Sequence, residues 1–291
     1  MIEVVSHRLY VVMPPCRSRL DWLEAIKIKA GQKGWLIEED SISSSMTAGS
    51  ENLVSFHESL EAAISTGASL GDIVVLLGDP ELHESDAAFG NVADVSRWYW
   101  SAMQAQDVLK LNLPREAGRI LQIATGLEVA CPPMRTVSGP RSQAFSEAIS
   151  LYQGRPEATW RPELFNYDVK SVDLAQSGQA FDITGKPRFL VSGPYITMPK
   201  GFWQATIKLG FDDGASRTRF RIDWGEVESY QSQEFCPGQP GFYEIIMSHN
   251  WPEPAPAEVR LVQLEGVFDG HVTFSGAEIM AGDPRLKSSQ T

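Results

Sequence analysis

Cysteine is scarce in this chain of 291 residues, which contains only Cys16, Cys131 and Cys236. Their odd number and wide spacing argue against a disulfide scaffold, and the lack of a CxxC or Cys/His cluster argues against a zinc site. We therefore expect reduced, mostly buried thiols, no metal and no cofactor. Reduced thiols are typical of a cytoplasmic protein, which is the localisation that we expect.

Long hydrophobic runs are also missing. No apolar segment approaches the roughly 18–20 residues that are needed to cross a bilayer. The N-terminal run VVSHRLYVVMPP is short and is interrupted by His7 and Arg8, which argues against a cleaved signal peptide. We expect a protein that is not transmembrane.

An excess of basic residues is absent too, because the formal net charge is −12. Nucleic-acid binding requires a basic stripe, and the nearest candidate is the short segment RTRFR at 217–221. The acidic residues are spread over both halves of the chain, as in an ordinary solubilising surface. We expect no nucleic-acid partner.

The N-terminal half alternates between predicted strands and predicted helices. This order is typical of a parallel sheet with helices on its faces, so we expect a small Rossmann-like α/β domain over residues 1–155. Residues 73–77 are continuously apolar, which indicates a central strand. The predicted strands are 8–13, 35–40 and 73–77, and the predicted helices are 18–34, 51–68, 85–111 and REAGRILQIATGL at 115–127.

Ligands of such sheets bind at the carboxyl ends of the strands. Arg17 and Arg19 follow the first strand and could hold an anion at a helix start. Asp79 and His83 follow the strand at 73–77 and are weak candidates for an acid/base pair, although Asp79-Pro80 is also ordinary turn chemistry. The chain has no GxGxxG, GxxxxGK[ST] or GxSxG motif, so the usual nucleotide-binding loops and the hydrolase nucleophile elbow are not supported.

The C-terminal half contains about nine strand candidates in succession, which predicts an antiparallel β-sandwich of jelly-roll-like type over residues 156–291. Apolar residues alternate with polar ones along 202–211 and 217–224, which indicates one buried and one solvated sheet face. We expect Trp203 and Trp224 in the core. The turns at 198–201 and 212–214 are predicted to close hairpins.

The aromatic residues of this half are the best candidates for ligand contact. Sugars have apolar C–H faces and polar rims, so their sites combine an aromatic plane with carboxylates, amides or arginines. Tyr195, Tyr230 and Trp251 are the candidate binding residues. Trp251 stands in the proline-rich segment HNWPEPAP, which predicts a loop where ligand contact and loop packing are equally good interpretations.

The phrases FDITGKPRFLVSGPYITMPKGFWQATIKL and FRIDWG resemble a β-sandwich module of bacterial surface-polysaccharide biosynthesis proteins, often found beside glycosyltransferase domains. The segment from Gly193 to Trp203 carries the resemblance, and residues 1–155 resemble no family that we recognise. The resemblance implies a non-catalytic accessory or carbohydrate-recognition protein whose partner is a glycan or a polysaccharide-biosynthesis enzyme. The alternative is a sugar-nucleotide-dependent glycosyltransferase with a reduced N-terminal nucleotide-binding domain, so whether the chain is an enzyme stays open.

Overall fold

The computed structural model describes residues 8–38, 52–82, 90–133, 139–226 and 228–282. The chain divides into two compact units, of which the first comprises Met1–Leu82 and Trp98–Ser138 and the second His83–Arg97 and Gly139–Thr291. Residues 139–155, which the sequence assigned to the first domain, thus lie in the second unit. In the described ranges we find no helix with the length and apolarity that crossing a membrane requires.

The first unit is built on a parallel sheet of five strands in the order β2-β3-β1-β4-β5. A Rossmann fold has the order 3-2-1-4-5, whereas here β3 and not β2 lies beside β1. Its elements are β1 (Arg8–Val12), α1 (Arg19–Gln32), β2 (Leu36–Glu38), β3 (Leu53–His57), α2 (Leu60–Ser65), β4 (Ile73–Leu77), α3 (Gly90–Gln104), β5 (Leu109–Asn112), β6 (Ile120–Ala124) and β7 (Leu127–Ala130), with the beginning of α3 in the second unit.

Helix α1 packs against this sheet through a stripe of one residue per turn. Trp22, Ile26 and Ala30 are fully buried at i, i+4 spacing, in one cluster with Val11 of β1. Leu20, in the first turn of the helix, is 75% exposed. Burying each large side chain stabilises the unit by about 1.5–3 kcal/mol.

Two segments predicted as helices contain strands. The segment 51–68 begins with β3, whose residues Val54 to His57 are all buried between β1 and β2, and only its end forms α2. The segment REAGRILQIATGL contributes to the hairpin of β6 and β7. In β7, Leu127 and Val129 are buried while their neighbours are exposed, a period of two that the sequence analysis overlooked.

The second unit contains two antiparallel sheets. One has the order β10-β18-β13-β16 with β8 paired to β18, and the other has the order β15-β14-β17-β11-β9 with β12 paired to β17. Its elements are α4 (Pro140–Ala148), β8 (Glu157–Trp160), β9 (Asn166–Tyr167), α5 (Val172–Gln176), β10 (Phe181–Asp182), β11 (Arg188–Ser192), β12 (Pro194–Met198), β13 (Gly201–Phe211), β14 (Phe220–Glu226), β15 (Ser229–Phe235), β16 (Gly241–Trp251), β17 (Ala255–Gln263) and β18 (His271–Ala281).

The two sheets pack face to face through aromatic rings. Trp224 of β14 lies 5.5 Å from Trp160 of β8 and 5.0 Å from Trp251 of β16, measured between ring centres. Trp203 and Trp224 are buried, as predicted. The two turns predicted to close hairpins instead carry the chain from one sheet to the other, because β13 belongs to the first sheet while β12 and β14 belong to the second.

Candidate functional site

The candidate site is built on the outward side of β17. Alternate residues of this strand, Ala257, Val259 and Leu261, are fully buried in the core between the sheets. Glu258 and Arg260 therefore point the other way, where a strand normally meets solvent. Glu258 is nevertheless only 1% exposed, so other side chains must cover it.

Two tyrosines and an arginine surround the Glu258 carboxylate. The hydroxyl of Tyr195 donates to Oε1 at 2.6 Å, and the hydroxyl of Tyr230 donates to Oε2 at 2.6 Å. Arg260 donates to Oε2 through Nε at 2.8 Å and lies within 2.7 Å of it through Nη2. A buried anion persists only when it is paired and hydrogen-bonded. We call Tyr195, Tyr230, Glu258 and Arg260 the Glu258 cluster.

The cluster holds its groups in defined protonation states. Burial, together with the hydrogen bond and charge of Glu258, raises the pKa of both Tyr195 and Tyr230, so the phenols stay neutral donors. Burial lowers the pKa of Arg260, but the hydrogen bond and charge of Glu258 outweigh it and leave that pKa above its ordinary value. The cluster thus pairs one negative with one positive charge.

Tyr195 reaches Glu258 because of an irregular backbone. The pairing of β12 with β17 shifts register between Pro194 and Ile196, which leaves Tyr195 as the extra residue of a bulge. Its φ is +64°, a left-handed conformation that is strained by about 1–3 kcal/mol for a bulky side chain. Bulges re-aim side chains, often beside functional sites.

A groove of about 590 Å³ opens beside the cluster. Phe189 of β11 is 49% exposed on its wall. The guanidinium carbon of Arg260 lies 4.2 Å from the ring centre of Tyr230 and 5.7 Å from that of Phe189. The residues that line the groove are Asn166, Tyr167, Asp168, Val172, Gln176, Phe189, Leu190, Val191, Ser192, Tyr195, Glu258 and Arg260.

The predicted ligand residues of this half meet only in part. Tyr195 and Tyr230 converge on Glu258, whereas Trp251 does not join them. Trp251 ends strand β16 rather than standing in a loop, is 0% exposed and packs edge to face on Trp224 and His249. It has no free ring face for a ligand, which corrects its assignment as a binding residue.

Sequence reasoning missed Phe189, Glu258 and Arg260. The alternation in AEVRLV could have shown that Glu258 and Arg260 share the outward face of their strand. Nothing local in the sequence could have shown that two tyrosines bury the carboxylate.

The carboxyl ends of β1 and β4 are adjacent, so Arg17 and Asp79 do come together. The loops bind each other directly: the amide of Arg17 donates to the carbonyl of Asp79 at 2.8 Å, and that of Glu81 to Pro15 at 3.1 Å. The hydroxyl of Tyr99 lies 3.2 Å from the carbonyl oxygens of both Pro15 and Gly78. These contacts occupy backbone groups that a bound phosphate would otherwise use.

Two of the side chains there have partners as well. Arg19 binds the Met13 carbonyl at 3.1 Å and pairs with Glu58 at 3.2 Å, while Asp79 pairs with Arg115 at 2.6 Å. His83, the predicted partner of Asp79, lies outside the described residues. Within the described ranges, no group of three or more His, Cys, Asp or Glu side chains is arranged to hold a metal ion.

The three cysteines are free, as expected, although only two of them are buried. Cys16 and Cys131 are buried and Cys236 is exposed. Burial raises the pKa of the Cys16 thiol to about 12. A thiol with this pKa is not a nucleophile at neutral pH.

No protein-family model matches the chain, and no curated protein matches it. Among solved structures, the chain is similar to TmCBM61, a structure with bound β-1,4-galactotriose, with 10% identity, a TM-score of 0.29 and coverage of 35% of this chain and 69% of that one. A family 16 carbohydrate binding module matches 44% of this chain and 86% of its own, with 10% identity and a TM-score of 0.27.

The Glycosylation Associate Protein (Gap123) complex from Streptococcus agalactiae matches 96% of this chain and 50% of that chain, with 8% identity and a TM-score of 0.28. Alignments with TM-scores this low do not establish a shared fold, so function must be argued from the groove itself.

Proposed function

We propose that the second unit binds a carbohydrate, without catalysis, in the groove beside the Glu258 cluster. The observation that carries this proposal is a half-exposed aromatic ring, Phe189, on the wall of a groove whose exposed surface is mainly apolar but which several polar side chains line. A pyranose can lay its apolar face on such a ring and direct its hydroxyls to polar groups.

The groove offers the donors and acceptors that sugar hydroxyls need. Asn166 and Gln176 each contribute an amide, Ser192 a hydroxyl and Asp168 a carboxylate. The volume of about 590 Å³ falls in the range of roughly 300–1,000 Å³ that is usual for small-molecule sites.

The Glu258 cluster supports binding by keeping the wall of the groove rigid. Arg260 is held by Glu258 and lies against the rings of Tyr230 and Phe189, so little side-chain entropy is lost when a ligand arrives. A strained residue such as Tyr195 persists where the surroundings over-determine it, which is common at ligand sites.

The wider role in this proposal is the one that the sequence resemblance implies: an accessory protein of bacterial polysaccharide synthesis whose partner is a glycan or a biosynthetic enzyme. From β10 to β18 the chain crosses repeatedly between the two sheets, with β11–β12 and β14–β15 as successive strands of one sheet, which supports a jelly-roll-like sandwich. The glycosyltransferase alternative has less support, because the loops after β1 and β4 bind each other.

Calorimetry with a panel of oligosaccharides tests the proposal. Phe189→Ala should weaken binding at least about tenfold, the effect of losing an interface aromatic. The matched control is Phe242→Ala, which removes a ring that is 84% exposed on β16 of the other sheet and should leave affinity unchanged. Equal effects of the two variants would contradict the groove as the site.

The glycosyltransferase alternative can be tested on the same protein by a thermal-shift measurement. A thermal shift with UDP- or GDP-sugars that Arg17→Ala abolishes would favour the glycosyltransferase hypothesis over the non-catalytic one. We expect oligosaccharides, and not sugar nucleotides, to raise the melting temperature.

A further inference from the structure

The charges around the groove are few and unevenly matched. Among the described residues that line it, Asp168, Glu258 and Arg260 are the acidic and basic ones. Glu258 and Arg260 form a pair through contacts of 2.7 and 2.8 Å. The net charge that this pair presents to a ligand is therefore close to zero.

The guanidinium of Arg260 is also restricted in its approach. The edge that carries Nε and Nη2 faces Glu258, and the guanidinium carbon lies 4.2 Å from the ring centre of Tyr230 and 5.7 Å from that of Phe189. Strong recognition of a ligand carboxylate by arginine uses two parallel N–H bonds from one edge of the guanidinium. Glu258 takes one of these edges, so Arg260 is a poor receptor for an acidic ligand.

Asp168 adds an exposed carboxylate to the groove wall. The cations nearest to it in sequence do not line the groove: Lys170 lies 3.7 Å from Asp182, and Arg188 donates to the backbone carbonyls of Asp168 and Lys186. The lining residues thus sum to one negative charge. The whole chain, at −12, adds a long-range repulsion of anions.

From this arrangement we infer that the groove selects neutral sugars and rejects acidic ones, an inference that rests on the proposed function. Sugar hydroxyls donate to Asp168 and exchange hydrogen bonds with the amides of Asn166 and Gln176. A uronic acid would bring its carboxylate toward Asp168, while Arg260, the one cation among the described lining residues, is already paired with Glu258. The two like charges would then disfavour binding.

The test compares sugars that differ only at C6: oligosaccharides of glucose against those of glucuronic acid, and of galactose against those of galacturonic acid. Calorimetry on the full chain should give at least about tenfold weaker binding for each acidic member. Asp168→Asn should narrow this ratio severalfold by raising affinity for the acidic member. The control Asp213→Asn, which removes an exposed carboxylate outside the groove, should leave the ratio unchanged.

The outcomes separate the two proposals. Acidic oligosaccharides that bind as tightly as the neutral ones would overturn the selectivity and leave carbohydrate binding standing. A ratio that Asp168→Asn does not change would overturn the role given to that carboxylate. Failure of every oligosaccharide to bind would overturn the proposed function and the selectivity with it.

Discussion

The hydroxyl of Tyr195 allows the contribution of the Glu258 cluster to stability to be measured with little disturbance of packing. Tyr195→Phe keeps the ring and removes the 2.6 Å hydrogen bond to Oε1 of Glu258. Hydrogen bonds to charged groups contribute about 1.5–3 kcal/mol, and the acceptor here is buried. We expect the free energy of unfolding of the second unit to fall by about 2 kcal/mol.

Substitutions of the other cluster members should change the free energy of unfolding by amounts that can be compared with this value. Tyr230→Phe should cost less than Tyr195→Phe, because Oε2 keeps its contacts with Arg260. Glu258→Gln removes the buried charge and leaves Arg260 without its counter-ion, which costs about 3 kcal/mol or more. The double variant of both tyrosines should not be additive, since the two hydroxyls share one carboxylate.

The measurement is unfolding in urea, with amide hydrogen exchange in β14 and β17 as the readout. Because both strands belong to the second unit, this readout reports on that unit alone. The control is Tyr243→Phe, whose hydroxyl donates to the backbone carbonyl of Gln239 at 2.7 Å in an exposed position. A neutral bond of this kind contributes about 1 kcal/mol or less. If Tyr195→Phe lowers the free energy of unfolding by no more than Tyr243→Phe does, the hydrogen bond to the buried Glu258 carboxylate does not stabilise the second unit as we propose.

Three further predictions concern backbone, core and pH. Gly225→Ala should destabilise the second unit by at least about 2 kcal/mol, because its φ is +155° and an added Cβ would lie 2.2 Å from the carbonyl oxygen of Ser229. Trp251→Ala should cost about 3–5 kcal/mol in urea unfolding, as a fully buried large side chain. The contribution of Tyr195 and Tyr230 to the free energy of unfolding should be fully present below about pH 10 and should decrease above it. The reason is that tyrosines of the unfolded chain ionise near pH 10, while the pKa values of Tyr195 and Tyr230 in the folded protein are raised.

Each of these has a control. Gly31→Ala in α1 meets no atom within 4 Å and should stabilise by about 0.5–1 kcal/mol. Phe242→Ala should change stability by less than about 0.5 kcal/mol, against the large effect at Trp251. Melting temperatures measured from pH 7 to 11 should fall less steeply in the Tyr195→Phe/Tyr230→Phe variant, and equal slopes would contradict the assignment.

The sequence by itself determined which side of β13 and of β14 carries the apolar core residues. Ala205, Ile207 and Leu209 of β13, and Phe220 and Ile222 of β14, are all buried as their period-two spacing predicts. This follows because side-chain direction in a strand is a local property of the backbone. The N-terminal strands 8–12 and 73–77 were predictable for the same reason, since a continuous apolar run demands cover on both faces.

Helix and strand were confused where the apolar spacing fits both. Leu53, Phe56, Leu60 and Ile64 have helical spacing, yet 53–57 is a strand because β1 and β2 supply hydrogen-bonding partners on both sides. Such partners come from distant parts of the chain and leave no local trace. In the hairpin of β6 and β7 the partners are adjacent in sequence, and the period of two in β7 was a local signal for a strand.

Only the tertiary structure decided which aromatic residues lie at the groove. Trp251 is buried because β16 lies across the core from Trp224, which no spacing in the sequence records. Tyr195 and Glu258 are 63 residues apart and meet through a bulge and the pairing of β12 with β17. The groove is thus a product of strand order and register, which depend on long-range pairing, whereas the faces of the strands depend on the local sequence alone.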